Sequence, residues 1–297
     1  MEVIGYYTDS RYLAKILNKF LRPLPEFGHT AEMYRIKDTA QLHAGDLYIL
    51  AGWRLLRDRL VTPKIIGDNR LLIADSFIRP LDCKQEGWKN DAYFTISRTL
   101  HCTGSKYIDL PSDRWDKYGV EVKPWNTTKK SLVVVSYGED SIHGNNRENI
   151  SRFKKCIKLA IEKGFDVVVC SHPEEVKHQV TAYKDASKIK EFQDLGCEFS
   201  TGGDKYLDEA ACLISYPGSL NFKATIVGVP TYPVMDCYLS NLYTDCGIEN
   251  LSVFLDKLPT PDRAKWLNWL AYQQWTPDEI EQGLAWEFMI ENKNMSI

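Results

Sequence analysis

The run Asp166-Val167-Val168-Val169-Cys170-Ser171-His172-Pro173-Glu174-Glu175 constrains this chain more than any other stretch. Its valines and cysteine form a continuous apolar segment of strand length. Such a segment suits a strand covered on both faces, as in a parallel sheet. Pro173 has no N–H to give to a ladder, so the strand ends at Ser-His-Pro. The same proline fits the first turn of a helix, where Glu174 and Glu175 complement the helix dipole. His172 is thereby placed in a loop at the carboxyl end of a buried strand, the edge of an open α/β sheet at which ligands bind.

The same grammar recurs along the chain. Strands are expected at Glu2–Thr8, Asp46–Leu50, Leu71–Asp75, Ala92–Ser97, Leu132–Ser136, Ala211–Ser215 and, short, at Gly228–Tyr232. Asp9 or Ser10 can cap a helix carrying Tyr12, Leu13, Ile16, Leu17 and Phe20 on one face. Helices are also expected over 54–59, about 147–163, about 219–228, about 261–274 and about 277–290. Gly164 has the place of a C-cap glycine after the 147–163 helix. Residues 104–126 are rich in Pro, Gly, Trp and charge, and about 120–130 reads as a linker. Strand, polar loop and helix, repeated on both sides of it, predict right-handed βαβ units and parallel sheets. The expected class is therefore α/β: two Rossmann-like domains facing a cleft, with C-terminal helices crossing back. The boundaries are 1–125, 126–260, and a C-terminal helical pair at 261–297 packing across both.

With 297 residues, 44% hydrophobic and 26% charged, the chain is large enough for two such domains. No apolar run approaches the length of a bilayer span, and Met1-Glu2-Val3-Ile4-Gly5 does not open a signal peptide. No membrane association and a cytoplasmic location are expected. Eight scattered cysteines without a Cys-x-x-Cys pair read as reduced core residues. The net charge of −3 hides an asymmetry: residues 1–130 hold 21 Lys and Arg against 16 Asp and Glu, and the remainder holds 16 against 24. A mildly basic first half suits a polyanionic partner, and equally suits solvated surface charge.

Two loops in the second half carry the strongest site signal. Ser171-His172-Pro173 ends one strand; Pro217-Gly218-Ser219 ends another and opens a helix. A helix N-terminus built from small residues presents free N–H groups to phosphate, and a histidine beside it can bond the same group. The loop from Gly138 to Asn146 supplies a third edge. In the first half, Asp75 follows a buried-type strand, where a carboxylate can take a proton from an acceptor hydroxyl or can simply cap its own turn; Asp9 is the second candidate. Arg79 and His101 stand in neighbouring loops, each read as a surface or hydrogen-bonding residue before a catalyst, and Arg54 stands on the outer face of the 54–59 segment. There is no P-loop, no Gly-x-Gly-x-x-Gly after a strand and no Gly-x-Ser-x-Gly elbow. There is no Asp-x-Asp pair, and six histidines lack zinc-ligand spacing, so no metal site is expected.

Ser171-His172-Pro173, with Ser215-Tyr216-Pro217-Gly218-Ser219-Leu220-Asn221 and Gly228-Val229-Pro230 downstream, resembles the His-Pro pattern of capsule and sialic-acid transferases of the GT-B type. Pro217-Gly218 stands where that family has a second small polar residue, which leaves the donor open. Pro111-Ser112-Asp113-Arg114-Trp115, Pro124-Trp125 and the stretch Leu270-Ala271-Tyr272-Gln273-Gln274-Trp275-Thr276 through Glu279-Ile280, Gly283, Ala285 and Trp286 resemble a group of tailed-phage proteins. The resemblance implies a metal-independent glycosyltransferase with no bound cofactor and a nucleotide-sugar co-substrate, UDP-linked by expectation. Ser171, His172, Pro173, Gly138, Gly218, Ser219 and Asn221 would bind the donor. Asp75 would be the catalytic base, with Arg54, Arg79 and His101 on the acceptor. The implied acceptor is 5-hydroxymethylcytosine or 5-hydroxymethyluracil in double-stranded phage DNA, met by a monomer in the host cytoplasm. A saccharide acceptor, or a non-catalytic nucleotide- or DNA-binding protein of the same fold, are the alternatives.

Overall fold

The computed structural model describes residues 1–8, 10–36, 42–52, 55, 69–75, 93–98, 108–126, 131–137, 146–171, 186–240, 242–243 and 248–291. Its strands, in chain order, are β1 (Glu2–Tyr7), β2 (Thr30–Arg35), β3 (Leu47–Ala51), β4 (Arg70–Asp75), β5 (Phe94–Ser97), β6 (Leu132–Tyr137), β7 (Asp166–Ser171), β8 (Glu198–Thr201), β9 (Ala210–Ser215), β10 (Thr231–Pro233) and β11 (Gln274–Trp275). Its α-helices are α1 (Arg11–Leu21), α2 (Asp113–Lys117), α3 (Asn146–Glu162), α4 (Ala186–Gln193), α5 (Ser219–Ile226), α6 (Leu251–Lys257), α7 (Ala264–Ala271), α8 (Pro277–Glu281) and α9 (Leu284–Trp286). The chain divides into two compact units, Met1–Tyr118 with Ala264–Ile297, and Gly119–Arg263. The chain therefore leaves the first unit once and returns to it. Among the described residues no helix is long and apolar enough to cross a membrane.

The first unit is built on a six-stranded sheet in the order β11-β5-β4-β3-β1-β2. The strands from β2 to β4 are mutually parallel. β5 and β11 run antiparallel to their neighbours, so the all-parallel sheet expected from sequence is here a mixed one. On one face Val3, Ile49, Leu71, Ile73, Phe94 and Ile96 bury against Ile16, Leu17 and Phe20 of α1 and against Trp275 and Trp286. Ser10, not Asp9, supplies the described cap of α1: its Oγ accepts the Leu13 N–H at 3.3 Å. β2 is absent from the sequence reading. It is an edge strand with most side chains half-buried or exposed, and it carries no apolar run.

The C-terminal segment departs most from expectation. In place of a helix over 261–274, α7 stops at Ala271 and the chain forms β11 beside β5. Arg114 explains the break. Its guanidinium donates to the carbonyls of Ala271 at 3.3 Å and Gln274 at 2.6 Å, and the Tyr118 hydroxyl also donates to Ala271 O at 3.2 Å. The same guanidinium makes two bonds to Glu279, at 2.9 and 3.0 Å, and lies 4.0 Å from the centroid of the Trp275 ring. Glu279 and Thr276 cap α8 reciprocally. Gly283, at φ +79°, then separates α8 from α9, which runs on into a π-helical turn at Glu287–Glu291.

The second unit holds a five-stranded sheet in the order β10-β9-β6-β7-β8, and every pairing is parallel. Its central strands are the apolar runs seen in the sequence, and Val133–Val135 and Val167–Cys170 are buried. Phe153, Ile157 and Ala160 of α3 are buried as their spacing predicts, and Gly164 follows at φ +84°. β8, another edge strand, was not expected. The described part of the anticipated linker runs along this unit. Lys123 N–H donates to Ile226 O at 2.9 Å and Asn126 N–H to Gly228 O at 2.8 Å. Arg263 bonds Thr225 O at 2.5 Å and Lys123 O at 2.6 Å, with its guanidinium 4.0 Å from the Trp125 ring centroid.

Candidate functional site

Strand order locates a site in the second unit. From β6 the chain steps outward to β7 and β8, then returns to the other side of β6 for β9 and β10. Direction therefore reverses between β6 and β9, and in such sheets the crevice at the carboxyl ends of the two divergent strands is the binding position. The ladder aligns Ser215 with Ser136, Tyr137 with Ser171, and Ser171 with Thr201, so hydroxyl-bearing residues line up along this edge.

The turn after β9 is built by its own residues. Ser215 is buried, and its Oγ donates to Asn221 Oδ1 at 2.6 Å, tying the strand end to the first turn of α5. Tyr216 packs edge-on against Phe153, and Pro217 ends the ladder. Gly218 is the N-cap of α5, fully extended at φ 178° and ψ 174°, and a Cβ built on it would meet no atom within 4 Å. Its carbonyl accepts the Asn221 N–H at 3.1 Å. The N–H groups of Ser219 and Leu220 precede any acceptor within the helix, so they face outward at its positive end. Asn221 is 1% exposed and, among the described residues, its Nδ2 has no hydrogen-bond partner. A buried amide donor left unpaired costs free energy, so its position at the first turn of α5 has chemical meaning.

Two neighbouring strand ends complete the described edge. Ser171 is buried, and its carbonyl accepts the Gly202 N–H at 3.1 Å. Gly203 sits so close to α5 that an added Cβ would lie 2.8 Å from the Leu220 side chain. The loop after β8 is thus packed onto the first turn of α5. Lys223 of that helix pairs with Asp204 at 3.3 Å, and Lys205 lies over the Tyr206 ring. Cys170, beneath this edge, is not poised as a nucleophile: burial pushes its thiol up to about 12 against the smaller opposing effect of Lys205. The five described cysteines are all buried, and none of them is joined in a disulfide.

Of the residues singled out from sequence, the structure brings Gly218, Ser219 and Asn221 together on one helix start and places Ser171 on the same sheet edge. Asp75 is the last residue of β4, where its backbone pairs with Phe94 of antiparallel β5. Gly138, His172, Pro173, Arg54, Arg79 and His101 lie outside the described residues, as does Asp9. Sequence reasoning missed Tyr238, whose hydroxyl donates to Gly218 O at 2.8 Å from the loop after β10. Nothing in its local sequence marks it.

No protein-family model matches the chain, and no curated protein matches its sequence. Similarity is found among solved structures. The β-Kdo 2,7-transferase KpsC of Thermosulfurimonas dismutans superposes with a TM-score of 0.51 at 13% identity, over 96% of this chain and 99% of that one. MnaA of S. aureus, solved with UDP, gives 0.35 at 9% identity over 100% and 98% of the two chains. The spinosyn rhamnosyltransferase SpnG gives 0.32 at 11% identity over 94% and 69%. The last two superpose too loosely to bear on the fold. The first, with the two strand orders above, establishes an α/β fold of two Rossmann-like units shared with a sugar transferase.

Proposed function

We propose that this chain is a GT-B-type glycosyltransferase that moves a sugar from a nucleotide donor to a hydroxyl acceptor, with Gly119–Arg263 as the donor-binding unit. The observation that carries the reading is the helix start after β9. Free N–H groups, an open N-cap glycine and the unpaired Asn221 amide converge at the switch point of a parallel sheet. That is the geometry that holds a nucleotide phosphate, and a phosphate oxygen seated there would give the buried amide an acceptor. The same N–H groups would stabilise the departing phosphate as the glycosidic bond to it breaks. His172, one residue beyond buried Ser171, is assigned to the same phosphate.

Asp75 is assigned as the base that takes the proton from the acceptor hydroxyl as that oxygen bonds the anomeric carbon and the nucleotide phosphate leaves it. Likeness in fold to a Kdo transferase favours a saccharide acceptor. The tailed-phage motifs would favour a hydroxymethylated pyrimidine, but Arg114, Tyr272, Gln274, Trp275 and Glu279 are engaged in building the first unit. Their chemistry speaks for a shared architecture rather than for DNA.

The test is nucleotide release, by mass spectrometry, from a panel of UDP-, dTDP- and CMP-sugars. It is run with an acidic oligosaccharide, with hydroxymethylated duplex DNA and with the matched unmodified duplex. Release that requires the oligosaccharide identifies the saccharide reading. Release that requires the hydroxymethyl group identifies DNA. Binding of a sugar nucleotide without release on any acceptor leaves a non-catalytic protein, and no binding at all overturns the nucleotide site.

A further inference from the structure

We infer that Tyr238 is a positioning residue for the nucleotide phosphate: its hydrogen bond to Gly218 O orients the Ser219 N–H that faces the ligand. This rests on the nucleotide reading above and deepens it. The argument begins with the planarity of the peptide unit. Gly218 C=O and Ser219 N–H belong to one trans amide, so they are coplanar and point in opposite directions. Whatever fixes the carbonyl therefore aims the N–H. Gly218 itself contributes little restraint, because it has no side chain and its surroundings would leave a Cβ untouched. Among the described residues no side chain caps α5.

Tyr238 supplies the restraint from behind. It is fully buried, and its hydroxyl donates to Gly218 O at 2.8 Å. The same oxygen accepts Asn221 N–H at 3.1 Å, so both lone pairs of the carbonyl are engaged and the plane has little freedom to rotate. A carbonyl that accepts a hydrogen bond also polarises its own amide, which makes the opposite N–H a stronger donor. The turn that carries Tyr238 is itself anchored. Cys237 N–H donates to Ser240 Oγ at 2.9 Å, Tyr243 N–H to Leu239 O at 3.0 Å, and the Tyr243 hydroxyl accepts the Thr231 N–H at 3.1 Å. The loop after β10 thus holds the helix start after β9 from the side away from the ligand. Tyr238 touches no substrate in this arrangement and acts through Ser219.

Two variants test this by calorimetry, with UDP and CMP as probes and uridine and cytidine as phosphate-free controls. Ser219→Pro deletes the N–H at a position where proline is well accepted, after an extended residue that suits it. Tyr238→Phe deletes only the hydroxyl and leaves Gly218 O its bond from Asn221. Tyr238→Phe is expected to weaken the nucleotide roughly three- to tenfold, the size of one hydrogen bond. Nucleoside affinity should stay unchanged, and the melting temperature should fall by no more than the few degrees that one buried hydrogen bond accounts for. Ser219→Pro should weaken the nucleotide at least as much, and Tyr238→Phe should add little on top of it because both act on one N–H. If Ser219→Pro weakens the nucleotide and Tyr238→Phe does not, the positioning role is wrong and the phosphate site stands. A loss of nucleoside affinity in step with the nucleotide marks Tyr238 as merely structural. If Ser219→Pro changes nothing, or no probe binds the parent, the phosphate site itself is wrong and the role of Tyr238 falls with it.

Discussion

Arg114→Ala should be among the most destabilising single changes in the first unit, and the reason lies in what it leaves behind. Arg114 and Glu279 expose only 10% and 23% of their side chains. Removing one partner of a buried ion pair costs about 3 to 5 kcal/mol, because the other charge stays buried without compensation. Glu279 keeps its bonds from Thr276 N–H at 2.9 Å and Thr276 Oγ1 at 3.2 Å, which places the cost near the lower figure. The carbonyls of Ala271 and Gln274 also lose a donor, although Tyr118 still reaches them at 3.2 and 3.4 Å. A loss of about 3 kcal/mol lowers the melting temperature of a unit this size by about 6 to 12 °C. Scanning calorimetry of parent, Arg114→Met, Glu279→Gln and the double variant measures the coupling directly, and a positive coupling of about 1 kcal/mol or more is expected.

Acid adds an independent check. Burial alone would raise the Glu279 carboxyl, but the bonds from Arg114 and Thr276 outweigh it and hold the group below its ordinary value of 4.5. A depressed carboxyl stabilises the fold above its unfolded value, and that contribution is lost as pH falls through the folded one. The gap in stability between parent and Arg114→Ala should therefore be constant near neutrality and narrow as pH falls through the carboxylate range, keeping the part that comes from the Ala271 and Gln274 carbonyls. A melting temperature for Arg114→Ala within about 2 °C of the parent at neutral pH, well short of the shift above, would refute the clamp.

Further outcomes follow from the proposed site and from the packing of the second unit. Asp75→Asn should keep donor binding while turnover falls roughly 10²- to 10⁴-fold, measured by nucleotide release under saturating donor; turnover within about threefold of the parent makes Asp75 a turn residue. His172→Ala should weaken the donor about ten- to a hundredfold in calorimetry with the melting temperature preserved, and unchanged affinity removes it from the site. Gly228→Ala should cost about 2 kcal/mol or more in urea unfolding, since residue 228 sits at φ +86° and an added Cβ would lie 2.0 Å from Pro124 O; an unaffected midpoint means the linker yields easily.

What could be read in advance follows the range over which each feature is encoded. Central strands such as Val133–Val135 and Val167–Cys170 must be apolar on both faces, so composition betrays them. β2, Thr-Ala-Glu-Met-Tyr-Arg, and β8, Glu-Phe-Ser-Thr, are edges that need no such run, and nothing in their residues separates them from loops. The helix start at Pro217-Gly218-Ser219 is visible because a proline, a glycine and a small hydroxyl residue stand side by side. So is the capping box at Thr276-Pro277-Asp278-Glu279, once the Thr-x-x-Glu spacing is weighed. The break after Ala271 is of another kind. Its residues keep helical spacing, and the donors that take the Ala271 and Gln274 carbonyls come from residues 114 and 118. The antiparallel turn of β5 against Asp75 is equally silent, since an apolar run does not state its direction. Tyr238 shows the limit most clearly. It lies 20 residues beyond the glycine it holds, and it comes close only because β10 takes its place beside β9. The residues that meet a ligand can be contiguous and therefore legible; the residues that aim them arrive through strand order, which exists only once the sheet has formed.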